Sequence, residues 1–176
     1  MGRELAARSA GVALGGVDFL LVREKQLEAG ELAAVARMIV AAVDGRARVL
    51  IAQRVDVALA VGADGVHLSS AAGELRVGQV RRLMPDGFVS VACHSVDEVR
   101  RAREDEADAV LFGPVFGKWV GGVEVVAGVG VERLREACGV AGEMKVFALG
   151  GVSEGNAGMC LEAGAAGIAG IRVFFT

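Results

Sequence analysis

The sequence has no tyrosine, one tryptophan, two histidines and three cysteines among its 176 residues. Lacking both an aromatic platform and a basic block, and carrying a net charge of −3, it offers no footprint for nucleic acid. Cys93, Cys138 and Cys160 lie far apart, are odd in number and show no C-x-x-C spacing. That argues against a zinc site or a disulfide framework and leaves buried thiols. The longest apolar stretch, Gly11 to Val22, is broken by Asp18, and it is short of the roughly 20 residues a bilayer requires. With no charged-then-apolar leader in view, the expected location is the cytoplasm, without membrane partners. The residues that are abundant fit a globular chain: 53% are apolar and 23% charged. One domain over residues 1–176 is expected.

Apolar segments alternate with helical patterns along the whole chain. Glu4 to Ala13 reads as a helix and Val17 to Val22 as a strand; Leu32, Val35, Ala36, Ile39, Val40 and Val43 recur at helical spacing. Strands are expected at Arg48 to Ala52, Asp64 to Leu68, Phe88 to Ala92, Ala109 to Phe112, around Val146 to Leu149, and at Gly167 to Val173. Helices are expected at Gln53 to Val61, Leu75 to Met84, from the Ser95 capping box to Glu104, at Val131 to Cys138 and at Glu154 to Ala163. Gly113 to Gly122, with Pro114, Lys118 and Trp119, reads as a loop. The pattern Val61-Gly62-Ala63-Asp64-Gly65-Val66 is echoed by Ala163-Gly164-Ala165-Ala166-Gly167-Ile168, each marking a helix end and a strand start.

Seven such units fit either an open doubly wound sheet or a closed (β/α)₈ TIM-type barrel. The absence of G-x-G-x-x-G after the first strand favours the barrel. The first strand of an eight-stranded barrel would precede the helix at Glu4, so the expected barrel lacks its first strand.

Barrel chemistry gathers at the C-terminal ends of the strands. Arg23, Lys25, Arg54 and Lys118 follow successive strands and would set four cations on one rim, a site for phosphate or diphosphate. Val146 to Leu149 runs into Gly150-Gly151, whose backbone could hold a phosphate before the helix that Ser153 caps. Each feature also has a plainer reading. Gly150-Gly151 can be a packing turn, Arg23-Glu24-Lys25 a solvated turn, and His67 and His94 core histidines bonded to backbone.

Val22-Arg23-Glu24-Lys25, Ile51-Ala52-Gln53-Arg54-Val55-Asp56-Val57-Ala58 and Gly62-Ala63-Asp64-Gly65-Val66-His67-Leu68 resemble successive motifs of thiamine phosphate synthase and its TenI-like relatives. Cys93-His94-Ser95, Phe112-Gly113-Pro114-Val115-Phe116 and Ala148-Leu149-Gly150-Gly151-Val152 continue the match in the same order. The resemblance implies joining of a hydroxymethylpyrimidine diphosphate to a thiazole phosphate, with Mg²⁺ on the diphosphate. It also implies that Arg23, Lys25 and Lys118 hold the diphosphate and Gly150 and Gly151 the thiazole phosphate.

The chain departs from the family pattern at several of these positions. Ala52-Gln53 stands where an asparagine-aspartate pair is expected, and Ser69-Ser70-Ala71-Ala72-Gly73 holds no second metal-binding aspartate. Leu21 replaces a pyrimidine-binding glutamine, Ala92 a serine, and Pro114 the histidine of the thiazole tautomerases. A TenI-like role is therefore expected, with a thiazole phosphate bound, no metal ligands, and His94 as the candidate proton carrier. Mg²⁺ enters only if synthase activity is retained, through a site rebuilt from Glu24 or Glu74. A non-catalytic, ligand-binding or regulatory role and assembly into a homo-oligomer stay open.

Overall fold

Helix α1 (Gly2–Leu14) is followed by strand β1 (Phe19–Val22). The computed structural model describes residues 2–69, 75–120, 123–171 and 173–174, with backbone alone at 118–120, 123 and 124. Helix α2 (Ala29–Val43) buries Leu32, Val35, Ala36, Ile39 and Val43, the stripe that 3.6-residue spacing puts on one face. It stops at Asp44, which turns left-handed at φ 51° and returns its N–H to the Val40 carbonyl. Then come β2 (Arg48–Ala52), α3 (Val55–Val61), β3 (Gly65–Leu68), α4 (Val77–Leu83) and β4 (Phe88–Cys93). The chain continues with α5 (Val96–Glu104), β5 (Ala109–Phe112), β6 (Lys118–Val120), β7 (Val123–Val126), α6 (Val131–Ala141), β8 (Lys145–Leu149), α7 (Glu154–Glu162) and β9 (Gly167–Ala169).

Among the described residues the main sheet runs in the order β1-β2-β3-β4-β5-β8-β9. Each new strand joins the one before it, with no reversal of direction along the sheet. A doubly wound sheet reverses its order at a switch point, so this progression is that of a TIM-type α/β fold.

The described residues form two compact units. One holds residues up to Leu68 together with 75 to Val89, and the other runs from Ser90 onward. In the first, β1 pairs with β2 and β2 with β3, all parallel, with Ile39, Ile51, Val66 and Val80 at 0–1% exposure. The side chain of Asp64 fixes this register: its Oδ2 accepts from the Val49 N–H at 2.7 Å, while its own N–H donates to the Val49 carbonyl at 2.9 Å. Asp64→Ala is expected to cost about 1 kcal/mol. The check is a lower urea midpoint at unchanged slope; an unchanged midpoint would refute the assignment. Gly65 is required by close approach, since a Cβ there would sit 1.9 Å from the Phe88 carbonyl oxygen.

In the second unit β4, β5, β8 and β9 are joined by parallel pairs, and Val99, Val110, Phe112 and Leu134 are fully buried. The Gly113 to Gly122 stretch is more than a loop, because it contains β6, which pairs antiparallel with β7 just after it. The helix expected from Gln53 begins instead at Val55, because Gln53 sits at φ 62° and cannot be helical. The last strand, expected to reach Val173, ends at Ala169.

Candidate functional site

In the first unit the chain leaves β1 at Arg23 and β2 at Gln53, and the two parallel strands bring these exits side by side. Between them lies a cavity of about 230 Å³ lined by Arg23, Glu24, Lys25, Leu27, Leu32, Ala52, Gln53 and Arg54. Three of the four cations expected from the sequence therefore share one pocket. They are not equivalent. Arg54 makes a forked pair with Asp56, Nε to Oδ1 at 2.9 Å and Nη2 to Oδ2 at 2.6 Å. That hydrogen bond holds the Asp56 carboxyl below the usual carboxylate range. Among the described residues Arg23 and Lys25 have no ion-pair partner, and the Glu24 carboxylate accepts from the Gln26 amide. Asp56 did not stand out in the sequence; its signal was the Arg-x-Asp spacing at a helix start.

His67 is buried on β3, and its carbonyl accepts the Gln53 N–H at 2.8 Å. Burial, with a smaller push from the Arg23 charge, lowers its imidazole pKa to about 4. It is neutral at pH 7 and adds no charge to the pocket.

In the second unit β8 ends in Gly150 and Gly151, both left-handed at φ 94° and 66°. The carbonyls around this turn are committed. Val115 N–H donates to Leu149 O at 2.8 Å, Phe116 N–H to Gly150 O at 2.9 Å, and the Asn156 amide to Gly151 O at 3.0 Å. Among the described residues the N–H groups of Gly150 and Gly151 have no partner. Asn156 also accepts the Ser153 N–H at 2.8 Å, so a single side chain pins the turn to the start of α7. The sequence held its signal, an amide three residues after the capping serine. His94, just past β4, is oriented at two points. Its backbone N–H donates to the Glu98 carboxylate, and its Nδ1 faces the Gly113 carbonyl. Facing an acceptor, Nδ1 carries the proton and Nε2 is the basic nitrogen.

Lys118 belongs to β6 by its backbone, and its side chain lies outside the described atoms, as does Glu74 altogether. The Cys93 thiol is buried, and burial followed by the nearby Glu98 charge pushes it up to about 12, so it is no nucleophile at neutral pH.

The family model described as thiamine monophosphate synthase matches residues 2–174. The chain belongs to the thiamine monophosphate synthase family. A Geobacter sulfurreducens relative is 40% identical over 173 residues, covering 96% of this chain and 78% of its own. The thiamine-phosphate synthase of Methanoculleus marisnigri is 36% identical over 160 residues, covering 89% and 74%. Among solved structures, thiamine phosphate pyrophosphorylase from Pyrococcus furiosus superposes with a TM-score of 0.83 at 26% identity, over 95% of this chain and 79% of that one. No helix among the described residues is long and apolar enough to cross a membrane.

Thiamine phosphate synthases are in general Mg²⁺-dependent. The residues at the ends of β1 and β2 do not fit that ion. Mg²⁺ takes carboxylate oxygens in a near-octahedral set, and here Gln53 offers a neutral amide while, among the described residues, Glu24 is the only carboxylate lining the cavity, flanked by Arg23 and Lys25. Among the described residues no group of three His, Cys, Asp or Glu side chains could hold a metal.

Proposed function

We propose that this family member binds a thiazole phosphate at the Gly150-Gly151 turn and processes or delivers it without the full Mg²⁺-dependent synthase site. The observation that carries the reading is the polarity of that turn. Its carbonyls are bonded to residues 115, 116 and 156, which leaves the glycine N–H groups to receive an oxyanion at the start of α7. Arg23, Lys25 and Lys118 supply positive charge for phosphorylated precursors, and Arg54 contributes once released from Asp56. His94 is the proton carrier, taking a proton at Nε2 while Gly113 holds Nδ1–H.

Calorimetry with the thiazole phosphate is expected to show binding that Asn156→Ala weakens about fivefold, roughly the loss of one hydrogen bond. Absence of binding to the wild-type protein would overturn the reading. An active synthase with a rebuilt metal site is the second reading, favoured by relatives that carry the synthase name. Formation of thiamine phosphate from the pyrimidine diphosphate, the thiazole phosphate and Mg²⁺ would establish that second reading.

A further inference from the structure

We propose that the cavity at the ends of β1 and β2 takes up a diphosphate group directly, without a divalent cation, using Arg23, Lys25 and the Gln53 amide while Asp56 holds Arg54 back. Binding a diphosphate through Mg²⁺ calls for carboxylates beside the ion, and a carboxylate repels a diphosphate unless a cation lies between them. Gln53 reverses that requirement, because its NH₂ donates to an oxyanion with nothing in between. Arg23 and Lys25 line the same cavity and have no ion-pair partner among the described residues, so their charge is available to a ligand. Leu27, Leu32 and Ala52 line the apolar side of the cavity, while Arg23 and Lys25 are exposed to solvent and so accessible to an incoming anion. Arg54 lines the cavity as well, but its guanidinium is already met by the Asp56 carboxylate through two hydrogen bonds. Asp56 thus stands in for the ligand at the third cation.

The experiment is calorimetric titration of the full chain with inorganic diphosphate, first with EDTA and then with excess Mg²⁺. Binding is expected in EDTA and is not tightened by Mg²⁺. Binding that appears only with Mg²⁺, or none in either condition, overturns the proposal. Gln53→Asp is expected to weaken the EDTA isotherm about fivefold or more and to make Mg²⁺ restore it; an isotherm like that of the wild type refutes the role of the amide. Arg23→Gln with Lys25→Gln should abolish saturation, and retention of binding in that variant places the anion elsewhere.

Arg54→Gln should change affinity by less than about twofold, whereas Asp56→Asn should tighten it about two- to fivefold, the range of an exposed ion pair. Loss of binding in the first, or no gain in the second, removes the restraining role of Asp56. Thermal melts of each variant separate loss of binding from loss of fold. The result is independent of the thiazole phosphate reading, because the substitutions lie in the first unit and the probe carries no thiazole. Either can fail while the other holds.

Discussion

Gly150→Ala is expected to destabilise the protein by about 2–5 kcal/mol, toward the upper end of what single substitutions do. Two costs combine at this residue. A residue with a Cβ held at φ 94° loses roughly 1–2 kcal/mol from the left-handed backbone alone. The new Cβ would also sit 2.4 Å from Pro114 Cβ and 2.5 Å from Pro114 Cα. The turn cannot back away, because Phe116 is hydrogen-bonded to Gly150 itself and Val115 to Leu149. Overpacking of this kind adds roughly 1–3 kcal/mol. Gly45→Ala is the matched control, with φ 72° but open space around the added carbon, and should show the backbone cost alone. Urea unfolding of the pair decides the matter: equal losses would mean that the Pro114 contact relaxes freely. If Gly150→Ala remains folded, its thiazole phosphate affinity should fall more than that of Gly45→Ala.

Acid should weaken the protein well before its carboxylates are neutralised. His67 has a folded-state pKa of about 4 against an ordinary 6.5. Between those values the unfolded chain binds a proton that the folded chain refuses, so stability falls as pH drops from about 6.5 toward 4 and is fully present above that window. From pH 7 to pH 5 the loss attributable to this one imidazole is about 2 kcal/mol. Denaturation curves at the two pH values measure it, and His67→Gln and His67→Leu should both flatten the dependence whatever they do to stability at pH 7. A slope unchanged in both variants would show that other groups set the acid limit.

The parallel strands were legible because each is an apolar run between turn signals. Arg48–Ala52 and Ala109–Phe112 have the boundaries the sequence suggests. The β6 and β7 hairpin was missed although Val120-Gly-Gly-Val123 is a hairpin signal, since Gly113, Pro114 and Gly117 mark the stretch before it as a turn. Gln53 was placed in a helix because the residues after it are helical; nothing in a glutamine announces a left-handed backbone, which asparagine or aspartate would have suggested. The cations of the candidate site were found from their place after the strands. Their inequality was not, because the Arg54 pair with Asp56 depends on how two side chains meet across a helix start. Asn156 was signalled as a capping partner of Ser153, but its second hydrogen bond, to Gly151, was not, because that bond needs the turn that follows β8.

The β6 and β7 hairpin is tied at its neck by backbone hydrogen bonds: Val129 N–H donates to the Pro114 carbonyl and Gly130 N–H to the Val115 carbonyl. A segment closed in this way hands no length constraint to β5 before it or to α6 after it. The segment between those ties is accordingly a position for loop exchange, where a longer recognition loop can be grafted while β5 and α6 keep their places.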